Sequence, residues 1–136
     1  MQSDVKVFCS TAESFPNGIQ DAFLTLERML SKEGRTFYGI SYRDENCNII
    51  YKAAVSEMYN GESEQYGFET FTITNGEYLV ETIFDWMDDI RAIGQTFQTL
   101  IVNPAFDDQT PCIEWYKSDK ELVCMVKTKQ SIDSIQ

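Results

Sequence analysis

Residues 17–30 read NGIQDAFLTLERML and residues 88–102 read DDIRAIGQTFQTLIV. In the first stretch Ile19, Ala22, Phe23, Leu26, Met29 and Leu30 recur at helical spacing, with Ser14 and Pro16 as start signals and Gly34 as a stop. In the second, Ile90, Ile93, Phe97, Leu100 and Ile101 repeat the pattern. Asp88 and Asp89 open it, where a helix dipole favours negative charge, and Asn103-Pro104 closes it. Two amphipathic helices are expected. Laid over each other at an offset of 74 residues, Ile19, Phe23 and Leu26 fall on Ile93, Phe97 and Leu100, and Tyr42-Arg43 falls on Tyr116-Lys117, the signature of an internal repeat.

Between and around the helices lie runs rich in β-branched and aromatic residues, at 5–10, 35–43, 49–57, 68–74, 77–84, 112–117 and 122–128. Three short polar joints carry hairpin chemistry: Asn75-Gly76, residues 44–48 and residues 117–120. Residues 60–67, polar and glycine-bounded, read as a loop or a single helical turn, and residues 129–136 as a flexible tail behind one domain at 1–128. The chain is thus expected to be α+β, a duplicated β-α-β-β unit forming one antiparallel sheet with both helices on one face. The other face would then be free to hold a ligand.

Composition removes many functions. Histidine is absent, which excludes Ser-His and Cys-His nucleophile pairs and His-ligated zinc. The 22 Asp and Glu against 11 Lys and Arg give a net charge of -11, a field that disfavours direct nucleic-acid or anionic-membrane binding. Cys9, Cys47, Cys112 and Cys124 show no C-x-x-C spacing, and three of them interrupt apolar strand-like runs, so reduced thiols are expected. With no secretory signal pattern and no apolar run of spanning length, the expected address is cytoplasmic.

Several motifs fail on chemistry. Asp44, Asn46 and Asn48 mimic the start of a calcium loop, but Ile49 stands where that loop needs Gly and Val55 where it needs a bidentate Glu. Asp107-Asp108, between Pro104 and Pro111, reads as a solvated turn. No metal or cofactor is expected. The run Cys112-Ile113-Glu114-Trp115-Tyr116 is different, because it sets a carboxylate in mid-strand among apolar neighbours. Such a Glu must sit at an edge, be paired internally or await a cation. Strand alternation puts Cys112, Glu114 and Tyr116 on one face and Ile113 and Trp115 on the other. Assigning Ile113 and Trp115 to the helix-packed core leaves Glu114 on the helix-free face, where the repeat offset would add Tyr38, Ile40 and Tyr42. Trp86, just before the second helix, would close one end of the resulting aromatic slot, and a carboxylate ringed by aromatic faces suits a lipophilic organic cation.

The Arg35-Thr36-Phe37-Tyr38-Gly39-Ile40-Ser41-Tyr42 strand, the Tyr66-Gly67-Phe68-Glu69-Thr70-Phe71 segment, Asp85-Trp86 and the closing Cys112-Ile113-Glu114-Trp115-Tyr116 together resemble the GyrI-like small-molecule-binding family, also called the AraC-type effector-binding domain. The likeness spans about residues 3–128. It implies tandem β-α-β-β units about a pseudo-two-fold axis with a ligand cleft between them, and a late-strand glutamate, here Glu114, that pairs with cationic ligands. Cys112 and Trp115 depart from the aliphatic or basic neighbours expected in the family. Many relatives carry an N-terminal DNA-binding domain, whereas this chain starts near its first strand, so a stand-alone binding module is expected.

The expected function is therefore a sensor or sequestering protein for a hydrophobic, cationic small molecule, related to transcription-regulator domains, with Glu114, Tyr116, Tyr38, Tyr42, Ile40, Trp86 and Cys112 as its binding residues. One alternative, implied by relatives that resemble cyclopropane-opening hydrolases, makes Glu114 a general base and Tyr116 or Tyr42 an acid. Another is a protein partner docked on the helix-free face.

Overall fold

A computed structural model describes residues 4–15, 17–29 and 35–129. In chain order the elements are β1 (Val5–Thr11), α1 (Ile19–Met29), β2 (Phe37–Arg43), β3 (Ile49–Ser56), α2 (Glu62–Tyr66), β4 (Glu69–Ile73), β5 (Tyr78–Phe84), a 3-10 turn (Trp86–Asp88), α3 (Arg91–Ile101), β6 (Cys112–Tyr116) and β7 (Glu121–Lys127). The strands form one seven-stranded antiparallel sheet in the order β4-β1-β3-β2-β6-β7-β5. The α+β class and the repeat are visible in that order. β1-α1-β2-β3 and β5-α3-β6-β7 are the same unit, joined back to back where β2 pairs with β6, and β4 is added outside β1.

Both long helices lie on one face, α1 over β1 and β3 and α3 over β7 and β5. Their apolar stripes explain this. Ala22 and Leu26 of α1 are buried against Phe8, Ala53 and Val55, and Leu100 of α3 against Cys124 and Val126, with Ile93 and Phe97 packed alongside. Asp21 in the first turn of α1 and Arg28 in its last complement the dipole. Gly18 admits the tight entry to α1, because a β-carbon there would stand 2.8 Å from the backbone of Ser14. The start and stop signals Pro16, Leu30 and Gly34, and the tail beyond 129, lie outside the described residues. α3 starts later than its acidic pair, since Asp88 closes the 3-10 turn that Asp85 enters in the left-handed region.

Two joints behave as hairpins. Asp44 Oδ1 accepts the backbone N–H groups of Asn46 and Asn48, both at 2.9 Å, between β2 and β3. Ser118 Oγ does the same for Lys120 and Glu121 between β6 and β7. Within residues 60–67 the chain forms the single helical turn α2 (Glu62–Tyr66), bounded by left-handed Gly61 and Gly67. Its Glu62 is buried and ion-paired with Arg35.

Asn75-Gly76 is not a hairpin. β4 and β5 are the two opposite edges of the sheet, and the link between them is a strap that the sheet's curl makes possible. Tyr78 OH donates to the Thr74 carbonyl at 2.7 Å, and Lys127 Nζ bonds Thr74 Oγ1 across the gap. The curl also corrects the expectation of a free second face. Val7, Cys9, Tyr38, Ile40, Ala54, Ile73, Ile113, Val123 and Met125 form a core inside the curl, opposite the helices. Among the described residues no helix is long and apolar enough to cross a membrane.

Candidate functional site

Glu114 sits in the middle of β6, opposite Gly39 of β2 on one side and Cys124 of β7 on the other. It is 9% exposed. Its Oε1 accepts two hydrogen bonds, from Tyr51 OH at 2.8 Å and from Tyr116 OH at 2.6 Å. Tyr51 belongs to β3 and must reach across β2 to do this. Gly39 makes that crossing possible, because a β-carbon there would overlap Tyr51 OH and lie 2.5 Å from Glu114 Oε1. Among the described residues no side-chain oxygen shut away from solvent lacks a partner. Oε2, which accepts no bond, is therefore the part of the carboxylate that remains accessible.

Aromatic rings surround the carboxylate. Phe23 of α1 meets Tyr116 edge-on at 5.6 Å and lies 6.3 Å from Tyr51 and 6.2 Å from Phe37. Trp86 meets Tyr116 at 5.2 Å, and Phe15 lies 6.0 Å from Tyr51. Together they wall a cleft of about 1720 Å³, whose floor holds Glu114 and Cys112 and whose flanks include Ile19 and Phe23 of α1 and Ile93 and Phe97 of α3. Its size exceeds the roughly 300–1,000 Å³ typical of ligand pockets.

Burial dominates the electrostatics. It raises the Glu114 pKa above the ordinary carboxylate value, and the hydrogen bonds from Tyr116 and Tyr51 offset part of that rise. Both phenols are pushed upward by burial and then by the adjacent carboxylate, so they stay neutral donors. Burial also lifts the Cys112 thiol to about 11 and the Cys124 thiol to about 12, which removes them as thiolate nucleophiles. The four cysteines are unpaired. One carboxylate oxygen is locked by two phenols and the other accepts no hydrogen bond from the described residues, in an apolar surround, so a positive charge coming alongside favours the ionised form.

The structure brings Glu114, Tyr116, Cys112 and Trp86 together, on the helix-bearing face and not the helix-free one. Ile113 and Trp115, expected under the helices, instead pack into the core inside the curl. Tyr38 and Ile40 share that inner core, 5% and 1% exposed, and do not join Glu114. Tyr42 is 41% exposed, carries Lys52 5.6 Å above its ring, and borders the cleft without joining the carboxylate cluster. The cause is register. The offset that superposes the helices is one residue short for the strands, since Gly39 and not Ile40 stands opposite Glu114, and a one-residue slip exchanges the two faces of a strand. Tyr51, Phe23, Phe37, Phe15 and Gly39 were not foreseen as site residues. Only Gly39 carried a local signal, a glycine in mid-strand where another group must approach the backbone closely.

No family model matches the chain, and no curated protein matches its sequence. Among solved structures it is similar to an integron cassette protein from the mobile metagenome of Vibrio cholerae, with a TM-score of 0.69 at 12% identity, covering 93% of this chain and 92% of that one. At that identity the likeness is one of fold.

Proposed function

We propose that the protein is a binding module for a hydrophobic organic cation, held in the cleft between α1 and α3 with its charge against Glu114 Oε2. The observation that carries this reading is a nearly buried carboxylate with one oxygen fixed by two tyrosines and the other accessible within an aromatic-walled space. The duplicated β-α-β-β order, with the cleft at the seam, supports assignment to the GyrI-like effector-binding domains. Four unpaired thiols suit a reducing compartment such as the cytoplasm.

The test is titration with tetraphenylphosphonium, followed by the fluorescence of Trp86, whose ring borders the site. Glu114→Gln is expected to weaken binding by about 1–3 kcal/mol, the scale for removing one charge from a buried ionic contact. Equal affinity in the two proteins would overturn the role given to the carboxylate.

The hydrogen bond of 2.6 Å between Tyr116 and a carboxyl of raised pKa favours a second reading. Glu114 would act as base on water and Tyr116 as donor to a leaving oxygen or carbon of an electrophilic substrate, such as an ester or a cyclopropane. Mass spectrometry after incubation with such compounds distinguishes turnover from binding.

A further inference from the structure

A second cavity lies inside the curl, on the face opposite the cleft. It measures about 260 Å³ and sits between the two sheet edges, walled by Phe71, Ile73, Tyr78 and Ile113, with Thr74 and Lys127 at one side. Lys127 is half-buried and points to the inner face, since its strand partner is Tyr78. Its side chain crosses Gly76, where an added β-carbon would come within 3.1 Å of Lys127 Cε. Among the described residues no carboxylate lies within ion-pairing distance of its ammonium, which bonds only the neutral hydroxyl of Thr74. Of the nearby acids, Asp4 accepts Asn75 N–H, Asp107 accepts Gln109 N–H and Asp108 accepts the Gln109 amide, and the Glu77 carboxylate is not within ion-pairing distance of Lys127.

In a chain of net charge -11, a half-buried lysine beside an apolar chamber, with no carboxylate of the described residues within ion-pairing distance, is free to take an anion as its partner. Its ammonium keeps two hydrogens to donate, and Thr74 Oγ1, accepting from Lys127, keeps its own. Two donors and one positive charge lie side by side at the edge of the chamber, the requirement of a carboxylate. The chamber is smaller than a drug-sized pocket, so its occupant carries a short chain or a single ring. We infer that the inner chamber is a second binding site, for a small monocarboxylate whose apolar body fills the space between Phe71 and Ile113 and whose head bonds Lys127 Nζ and Thr74 Oγ1.

The experiment titrates the whole chain with hexanoate and with benzoate, following amide shifts by NMR, with hexanol and benzyl alcohol as uncharged counterparts. Saturable shifts centred on Thr74, Gly76 and Ile113 are expected, with the alcohols binding about tenfold more weakly for want of the charge. Lys127→Met should reduce carboxylate affinity about tenfold, Lys127→Arg should retain it within a few-fold, and Glu114→Gln should leave it unchanged. Thermal unfolding of each variant checks that the chamber is still formed. Alcohols binding as well as the acids, Lys127→Met binding as well as the parent, or shifts centred on Trp86 and Tyr116 would each overturn the proposal. Because Glu114→Gln separates the two sites, failure here is distinguishable from failure of the cleft reading.

Discussion

Glu114 is the residue at which stability and the proposed cation binding pull in opposite directions. Burial raises its pKa, so folding shifts the balance toward the neutral carboxyl relative to the unfolded chain. The associated stability is complete below the ordinary carboxylate pKa and is lost as pH rises through the raised folded value. A bound cation reverses that shift, because it favours the ionised form. Glu114→Gln, which holds a neutral acceptor toward Tyr51 and Tyr116 at every pH, isolates the effect. Melting temperatures of the two proteins should lie closest near pH 4, and the parent should fall behind the variant as pH rises above the carboxylate range. Affinity of the parent for tetraphenylphosphonium should rise over the same interval, with a proton released on binding. A melting difference independent of pH would show that its surroundings do not raise the pKa of the carboxyl.

At the level of elements, the site depends on a strand that gives up a side chain. Gly39 forfeits packing in mid-β2, and Tyr51 and Glu114 occupy the space. Gly39→Ala should therefore cost about 1–3 kcal/mol, the range for overfilling a packed site, while loosening the carboxylate cluster and weakening cation binding. Gly94→Ala in α3, where the added carbon meets nothing within 4 Å beyond its chain neighbours and the helix's own backbone, should instead stabilise by up to about 1 kcal/mol, as expected when a helical glycine gains a side chain. Denaturant titration of the two variants reads this contrast, and equal effects would refute the assigned role of Gly39. The same residue marks where the sequence stops being legible. The helices and the two tight hairpins are local, written in residues a few positions apart, and Glu114 stood out because a carboxylate in mid-strand needs a reason. Which face of β2 and β6 lies under the helices depends on the Gly39–Glu114 register across the seam, and no short stretch encodes it. Tyr51 reaches Glu114 from two strands away, and Asn75-Gly76 has hairpin composition while joining opposite edges. These are products of curl and long-range pairing.

At the scale of the whole molecule, the two repeats are alike in fold and unlike at their seam. Around the pseudo-two-fold between β2 and β6, one half contributes Gly39 and the other Glu114, so the carboxylate at the seam has no symmetry mate, while Glu27, Asp108 and Asp119 also line the cleft. The rest of the net charge of -11 acts from the surface, as a field that concentrates cations without fixing their position. The two contributions respond differently to salt. The screening length falls from about 30 Å at 0.01 M to about 3 Å at 1 M ionic strength, and it attenuates exposed charges far more than a desolvated contact. Tetraphenylphosphonium affinity should consequently decline several-fold over that range in the parent and in Glu114→Gln alike, on parallel lines separated by a constant factor. The separation measures the contact with Glu114, and the common slope measures the field. If the slope disappeared in Glu114→Gln, the surface charge would have no part in binding and the carboxylate alone would have to account for the attraction.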